Sequence, residues 1–499
     1  MAQIPTNDKF MPATAPQPPR VWSPYQQALF QDAATGTGNR IVRAVAGSGK
    51  TTTGVEMCAR LRGSHIYLAF NKAIATELSA RGVNGRTFHS VCYSIVTKHR
   101  GVATVTADKI KQLVRTHLSG EDLLRYGTFI ERLVGLARNA GIGCLVADEE
   151  QAWVDLCEHH DLEPEHELAS FGRGVAMARH MLELSNESDM VDFDDLLYYA
   201  VKDGLLLPRF DNVFVDEAQD TNAIQRALIR KMMKEGSRLF AVGDEAQAIY
   251  GFRGADSNSM ELLKREFNCQ DMPLTVTYRC PTAVVAHAQQ WVSHLEAAPG
   301  APEGEVVTLD DRWTPSVFVA NDMVVCRTTA PIVSLAYKLL RARVPCYVMG
   351  REIGDGLKAL IKKMGATTLE GLELRINDWC HRESQKALAK QDDAKLASIQ
   401  DKTQAVLCLI DGLEESDRSI PKLLQVIDAL FANKADAVVL CTIHKSKGLE
   451  ADRVFWLNYH KCPAMWARQP WQQQQERNLC YVATTRAKKS LFLITSLDA

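Results

Sequence analysis

The segment Ala44-Val-Ala-Gly-Ser-Gly-Lys50-Thr51 carries the chemistry most easily read from this chain. A strand-like run precedes it and a helical stretch follows. Gly47 and Gly49 let the backbone turn tightly, so that N–H groups along Ala46, Gly47, Ser48, Gly49, Lys50, Thr51 and Thr52 face one phosphate. Lys50 reaches terminal phosphates, and the Thr51 hydroxyl is suited to Mg²⁺. Ala44 stands where glycine is usual. A second block, Val213-Phe-Val-Asp216-Glu217-Ala-Gln-Asp220, ends an apolar run in adjacent carboxylates. Asp216 would hold Mg²⁺, and Glu217 would orient and deprotonate an attacking water. Charge developing on a phosphoryl group also calls for cations. Arg279 and Arg486 stand at strand–helix junctions in the second half, and an arginine finger accelerates such hydrolysis by roughly 10³–10⁵. These motifs indicate a nucleoside triphosphate, not the use made of its energy.

Short apolar runs alternating with helical stretches must position these groups. Strand-like runs are Ile41–Ala46, Ile66–Phe70, Asn212–Val215, Arg238–Val242, Leu274–Thr277, Met323–Cys326, Pro345–Val348, Ala437–Ile443, Arg453–Leu457 and Leu491–Thr495. Continuous apolar runs with helices between them predict parallel strands buried on both faces. They fall into a group before about residue 245 and a group after about residue 270, which predicts two doubly wound α/β domains. Residues 95–210 and 355–435 interrupt the alternation with helix-period stretches and read as helical insertions. Gln472–Gln475 reads as a polar loop.

Composition narrows the class. The 499 residues hold Lys+Arg 58 against Asp+Glu 60, a net charge of −2. Bulk positive charge therefore does not coat a polyanion, and any grip on one is local. The 13 cysteines show no CxxC spacing, and the expectation is reduced thiols in a cytoplasmic protein. No window of roughly 18 apolar residues predicts a membrane span. The proline-rich residues 1–20 lack a signal-peptide core and read as a flexible tail.

The order of the motif blocks resembles the UvrD/Rep-like superfamily 1 DNA helicases, from about Trp22 to about Leu493. The branch most similar is the F-box DNA helicases with their bacterial and phage relatives. In Trp22-Ser-Pro-Tyr-Gln26, Gln26 matches the adenine-reading glutamine. Thr87-Phe88-His89-Ser90 looks like the block lying on the DNA strand, and Asp192-Phe193-Asp194-Asp195-Leu196 like the block whose aromatic stacks on a base. The run from Val242 to Asp256 is similar to the coupling motif. There Gln247 senses the γ-phosphate while Tyr250, Phe252 and Arg253 meet DNA. Tyr278 and Arg279 match the pair on adenine and γ-phosphate. Thr442-Ile-His444-Lys-Ser-Lys447-Gly448-Leu-Glu450 resembles a block that directs Glu450 to nucleotide and Thr442 and His444 to DNA. Glu476 to Ala487 resembles the final motif and gives Arg486 the finger role. Phe70-Asn71-Lys72 is one residue shorter than the family's F-T-N-K, with Phe70 and Asn71 facing DNA.

The resemblance implies two RecA-like P-loop domains with helical insertions. They would comprise 21–95 with 205–268, and 269–354 with 436–499, carrying insertions 96–204 and 355–435. It implies ATP and Mg²⁺, and a 3′-to-5′ translocase on single-stranded and tailed duplex DNA, acting as a monomer in repair, recombination or replication. The insertion 355–435 is shorter than the family's accessory subdomain. That keeps open an ATP-switched DNA-binding or protein-clearing factor without processive unwinding. An RNA-directed motor is a third reading. Sequence-blind movement suits aromatic faces, worth roughly 1–3 kcal/mol per stacked base, and Phe88, Phe193, Tyr250 and Phe252 are such aromatics.

Overall fold

The computed structural model describes residues 21–495, apart from 161, 165, 167, 252–253, 255–257, 310–312 and 391. The segment read as a tail, and the candidates Phe252 and Arg253, lie outside the described residues.

Parallel strands build two sheets. The first comprises β1 (Asn39–Ala44), β2 (His65–Leu68), β3 (Gly85–Arg86), β4 (Phe210–Val215), β5 (Met233–Gly243) and β6 (Cys269–Leu274), in the order β3-β2-β4-β5-β1-β6. A short pair, β7 (Val276–Thr277) with β8 (Glu296–Ala297), follows. The second sheet comprises β9 (Glu305–Leu309), β10 (Met323–Cys326), β11 (Cys346–Val348), β12 (Val438–Thr442), β13 (Ala451–Leu457) and β14 (Ala487–Ile494), ordered β11-β12-β10-β13-β14-β9.

Strand side chains point alternately to opposite faces, and here both faces are covered. Along β4 and β5, Val213, Val215, Leu239 and Ala241 enter one core, while Phe214, Phe240 and Val242 enter the other. In the second sheet Val324, Phe455 and Leu457 face one core, and Val325, Val454 and Trp456 the other. Each Val, Leu or Phe among them contributes roughly 1.5–3 kcal/mol by burial. This double burial is why the strands read as unbroken apolar runs.

Helices from Phe88–Arg100 to Phe193–Lys202 fill the chain between β3 and β4 and share the first core. Helices Arg351–Met364, Leu369–Ala389, Asp393–Asp411 and Ile420–Leu430 lie between β11 and β12 and share a core with the second sheet. Among the described residues no helix is long and apolar enough to cross a membrane.

Three sequence expectations are corrected. Leu274–Thr277 is not one strand of the second group. It divides between β6, which pairs with β1 in the first sheet, and β7. The helix Ser259–Glu266 carries the chain from β5 across β1 to β6, a crossover that returns to the same sheet. Gln472–Gln475 lies within the helix Pro470–Thr484, which Pro470 opens at its first turn. Strands β3, β8 and β9 escaped the reading, two of them only two residues long.

Candidate nucleotide cleft and strand-binding surface

Parallel strands bring their C-terminal ends to one edge, where α/β folds bind ligands. At that edge of the first sheet, β1 leads into Val45–Gly49, β4 into Asp216 and β5 into Asp244. The loop after β1 turns on Gly47 and Gly49, at φ 71° and 76°. A Cβ on Gly47 would lie 2.5 Å from Arg279 Cβ, so only glycine fits this approach between the two units. The helix Lys50–Cys58 starts without a side-chain cap. Its first N–H groups form an anion site. Ser48 Oγ is buried without a hydrogen-bond partner.

Charges converge on this loop. Lys50 Nζ lies 3.0 Å from Glu217 Oε1. Burial opposes the lysine charge, but Glu217, Asp244 and Asp216 outweigh it and raise its pKa. Burial and then the Glu217 charge push the Asp216 carboxyl up. Burial also works to raise Glu217, but Lys50 and Lys447 hold it below the usual carboxylate range. The pair is therefore differentiated: Glu217 is ionised, and Asp216 is short of compensating positive charge. A hard dication bound through oxygen supplies that charge, so Asp216 with the Thr51 hydroxyl fits Mg²⁺. Gln219 Nε2 donates to Glu217 Oε2 and fixes its orientation.

The second unit closes the cleft. Arg486 is 1% exposed. Its Nε donates to Val482 O at 2.9 Å, Nη1 to Leu449 O at 3.1 Å, and Nη2 to Gln247 Oε1 at 3.3 Å. Among the described residues it bonds only to neutral oxygens. Burial, then the nearby Arg279 charge, lowers its pKa to about 10, so the guanidinium stays charged at neutral pH. Gln247 Nε2 donates to Asp244 Oδ2 at 2.6 Å. Arg279 Nε donates to Glu450 Oε2 at 2.7 Å. The Tyr278 hydroxyl donates to Gln26 Oε1 at 3.0 Å, and Gln26 Nε2 donates to Thr53 Oγ1 at 2.9 Å. The Gln26 amide is thus engaged by the protein, aligning the half-exposed Tyr278 ring.

The other candidates gather along the same edges. Phe70 follows β2, is 48% exposed, and stacks on Tyr250 at 6.0 Å and 9°. Lys447 Nζ sits 4.8 Å from the Tyr250 ring centroid, and the Tyr250 hydroxyl donates to His444 O. Phe193 is 54% exposed, with His89 edge-on at 6.3 Å. Asn71, Thr87 and Thr442 each cap a helix N-terminus, accepting from Ile74 N, Ser90 N and Lys445 N. Phe88 is a correction. It is the first residue of its helix, 7% exposed, and packed in the first core, so its ring offers no free face. A cavity of about 500 Å³ continues this surface between the two helical insertions, lined by His160, Arg327, Lys390, His444, Trp466 and Trp471.

Several residues escaped the sequence reading. Lys447 bridges the units, donating to Asp220 Oδ2 at 2.6 Å and Gln247 O at 2.7 Å. Arg138 and Lys109 clamp the turn that carries Phe193. Arg138 Nη1 donates to Asp192 and Asp195, and Lys109 Nζ donates to Asp195 at 2.7 Å. Only Arg138, a charged residue on the apolar face of its helix, left a signal in the sequence.

Residues 25–268 match the UvrD/REP helicase N-terminal domain, and residues 358–498 match the UvrD-like helicase C-terminal domain. A DNA helicase II homolog of Mycoplasma genitalium is 27% identical over 292 residues, covering 52% of this chain and 41% of that protein. DNA helicase II of Escherichia coli K12 is 23% identical over 600 residues, covering 91% and 82%. F-box DNA helicase 1 of Gallus gallus is 25% identical, covering 92% and 47%. The match thus spans under half the length of the Mycoplasma and chicken proteins.

Proposed function

The chain belongs to the UvrD/Rep helicase family, and from that premise we propose that it is an ATP-dependent DNA helicase and single-strand translocase. One observation carries the reading. A buried arginine of the second unit, Arg486, bonds only to neutral oxygens among the described residues and reaches Gln247, which donates to Asp244 at the end of β5. Such a cation is complete when an anion enters the cleft.

The mechanism follows from the residues. Tyr278 offers its exposed face to the base. The Ser48 hydroxyl, the N–H groups after Gly47 and Lys50 hold the phosphates. Glu217, kept ionised, accepts a proton from the water that attacks the γ-phosphorus; the P–O bond to ADP breaks as the new bond forms. Arg486 and Arg279 stabilise the charge on the transferred group. Thr51 and Asp216 would hold Mg²⁺, which would offset phosphate charge. Only a closed cleft assembles both sets of cations, so triphosphate favours closure and hydrolysis releases it. Phe70, Tyr250 and Phe193 present faces blind to base identity, and capped helix N-termini at Asn71, Thr87 and Thr442 offer N–H groups to phosphates. Movement is 3′-to-5′, in line with the family resemblance.

A second reading, a DNA-bound clearance factor, is favoured by the compact insertion. Its Leu357, Leu372, Leu409 and Ile427 are buried in one core with Val324 and Leu440 of the second sheet, which makes it a fixed module. ATP turnover and strand separation on 3′-tailed, 5′-tailed and blunt duplexes test both. Turnover with unwinding of the 3′-tailed duplex supports the helicase. Turnover with protein displacement but no unwinding supports the clearance factor. No DNA-stimulated turnover defeats both.

A further inference from the structure

The helix Pro470–Thr484 carries more of the cleft than its arginine. Its apolar residues Leu479, Cys480, Val482 and Ala483 anchor it in the second unit's core. Asn478 and Tyr481 are also buried, at 3% and 0% exposure, and both bond to backbone of the first unit. Asn478 Nδ2 donates to Glu245 O at 3.0 Å and to Ala248 O at 2.9 Å. Those carbonyls flank Gln247, which meets Arg486. The Tyr481 hydroxyl accepts from Ala46 N–H, in the phosphate loop, at 2.9 Å. Around these bonds Val45, Ala46 and Ile249 of the first unit share the second unit's apolar core. The spacing 478, 481, 485 places these groups on one helix face, and Thr485 Oγ1 accepts from Arg486 Nη2.

We propose that Asn478 and Tyr481 are positioning residues. They register this helix on the phosphate loop and on the Gln247 turn, so that Arg486 takes its place only when the cleft is closed. Neither needs to touch nucleotide. Each satisfies a main-chain group that closure buries, and an unsatisfied buried group opposes closure. Tyr481 reads the phosphate loop and Asn478 the turn leading to Tyr250. The helix thereby ties nucleotide state to the strand-binding aromatics. This rests on the helicase reading above.

The test uses the full chain with oligo-dT. Tyr481→Phe deletes one oxygen, and Asn478→Asp sets a carboxylate against two carbonyls. Each should lower DNA-stimulated kcat by about tenfold or more. Binding of a fluorescent ATP analogue should change less than about threefold. The difference in DNA affinity with and without a non-hydrolysable analogue should shrink. Combined with Arg486→Ala, neither should cause much further loss, because both act through that arginine. Unchanged kcat, a rise in KM alone, or full additivity with Arg486→Ala overturns the proposal. Thermal unfolding checks that each variant folds; if one does not, the other decides. A parent chain without DNA-stimulated turnover defeats the helicase reading itself, whereas an active parent with unaffected variants defeats only this inference.

Discussion

Single side chains divide here between chemistry and packing, and neighbours in sequence fall on opposite sides of that division. Asp216 and Glu217 are adjacent, yet burial and Lys50 separate their proton affinities. Glu217 is held ionised, as a general base must be, whereas Asp216 is raised by burial and by the Glu217 charge. Glu217→Gln should reduce ATP turnover by about 10²–10⁴ while nucleotide binding persists; rapid-quench hydrolysis together with analogue titration checks this. Phe88 and Phe193 form a second contrast. Both begin helices after a capping residue, but one ring is in the core and the other is half exposed. Phe193→Ala should weaken single-strand binding by about 1–3 kcal/mol with little effect on stability. Phe88→Ala should cost about 3–5 kcal/mol of stability instead. Fluorescence anisotropy on oligo-dT, with urea unfolding of both variants, separates them.

Elements hold these side chains at their working places. The turn before the helix Phe193–Lys202 is clamped by Arg138, which is 3% exposed and bonded to Asp192 and Asp195. Arg138→Ala would leave the buried Asp192 without its cation and Asp195 with Lys109 alone. A loss of about 3–5 kcal/mol is expected, read as a lower urea midpoint. The helix Glu150–His160 docks on the Pro470 helix through the contact of His160 with the Trp471 ring, 6.4 Å between centroids. Burial, then His159 and Arg132, lowers the His160 pKa from 6.5 to about 4. The folded state thus prefers the neutral ring. The stability this represents is complete above pH 6.5 and is lost as pH falls toward 4, amounting to about 2 kcal/mol by pH 5. His160→Asn should flatten that part of the stability profile between pH 7 and 5, which urea titrations at several pH values measure.

The whole molecule joins two sheet-based units around a shared interface. The cross-links, Lys447 to Asp220 and Arg486 to Gln247, lie between the nucleotide cleft and the aromatic pair Phe70–Tyr250. Opening the cleft must therefore disturb the strand-binding surface. With a net charge of −2, the proposed DNA affinity would rest on a few local cations, so log Kd should change only shallowly with log salt, by about 0.7 per phosphate contacted on a single strand. The slope of log Kd against log salt should change when a non-hydrolysable ATP analogue is bound. A slope identical in both states would remove the link between nucleotide and strand.

The phosphate loop, the acidic strand end and the arginines were legible because their chemistry needs particular residue types at fixed spacing along one backbone turn. The two-sheet architecture was legible because strands buried on both faces read as continuous apolar runs. Tertiary structure alone decided the remainder. The pairing of Cys269–Leu274 with β1 depends on a hydrogen-bonded neighbour more than 200 residues away. The burial of Phe88 depends on helices that pack over it. The contacts of Asn478 and Tyr481 exist only where the second unit meets the first. Local sequence specifies turns, periodicity and chemical groups. Which buried polar atom finds which partner is set by packing between distant segments.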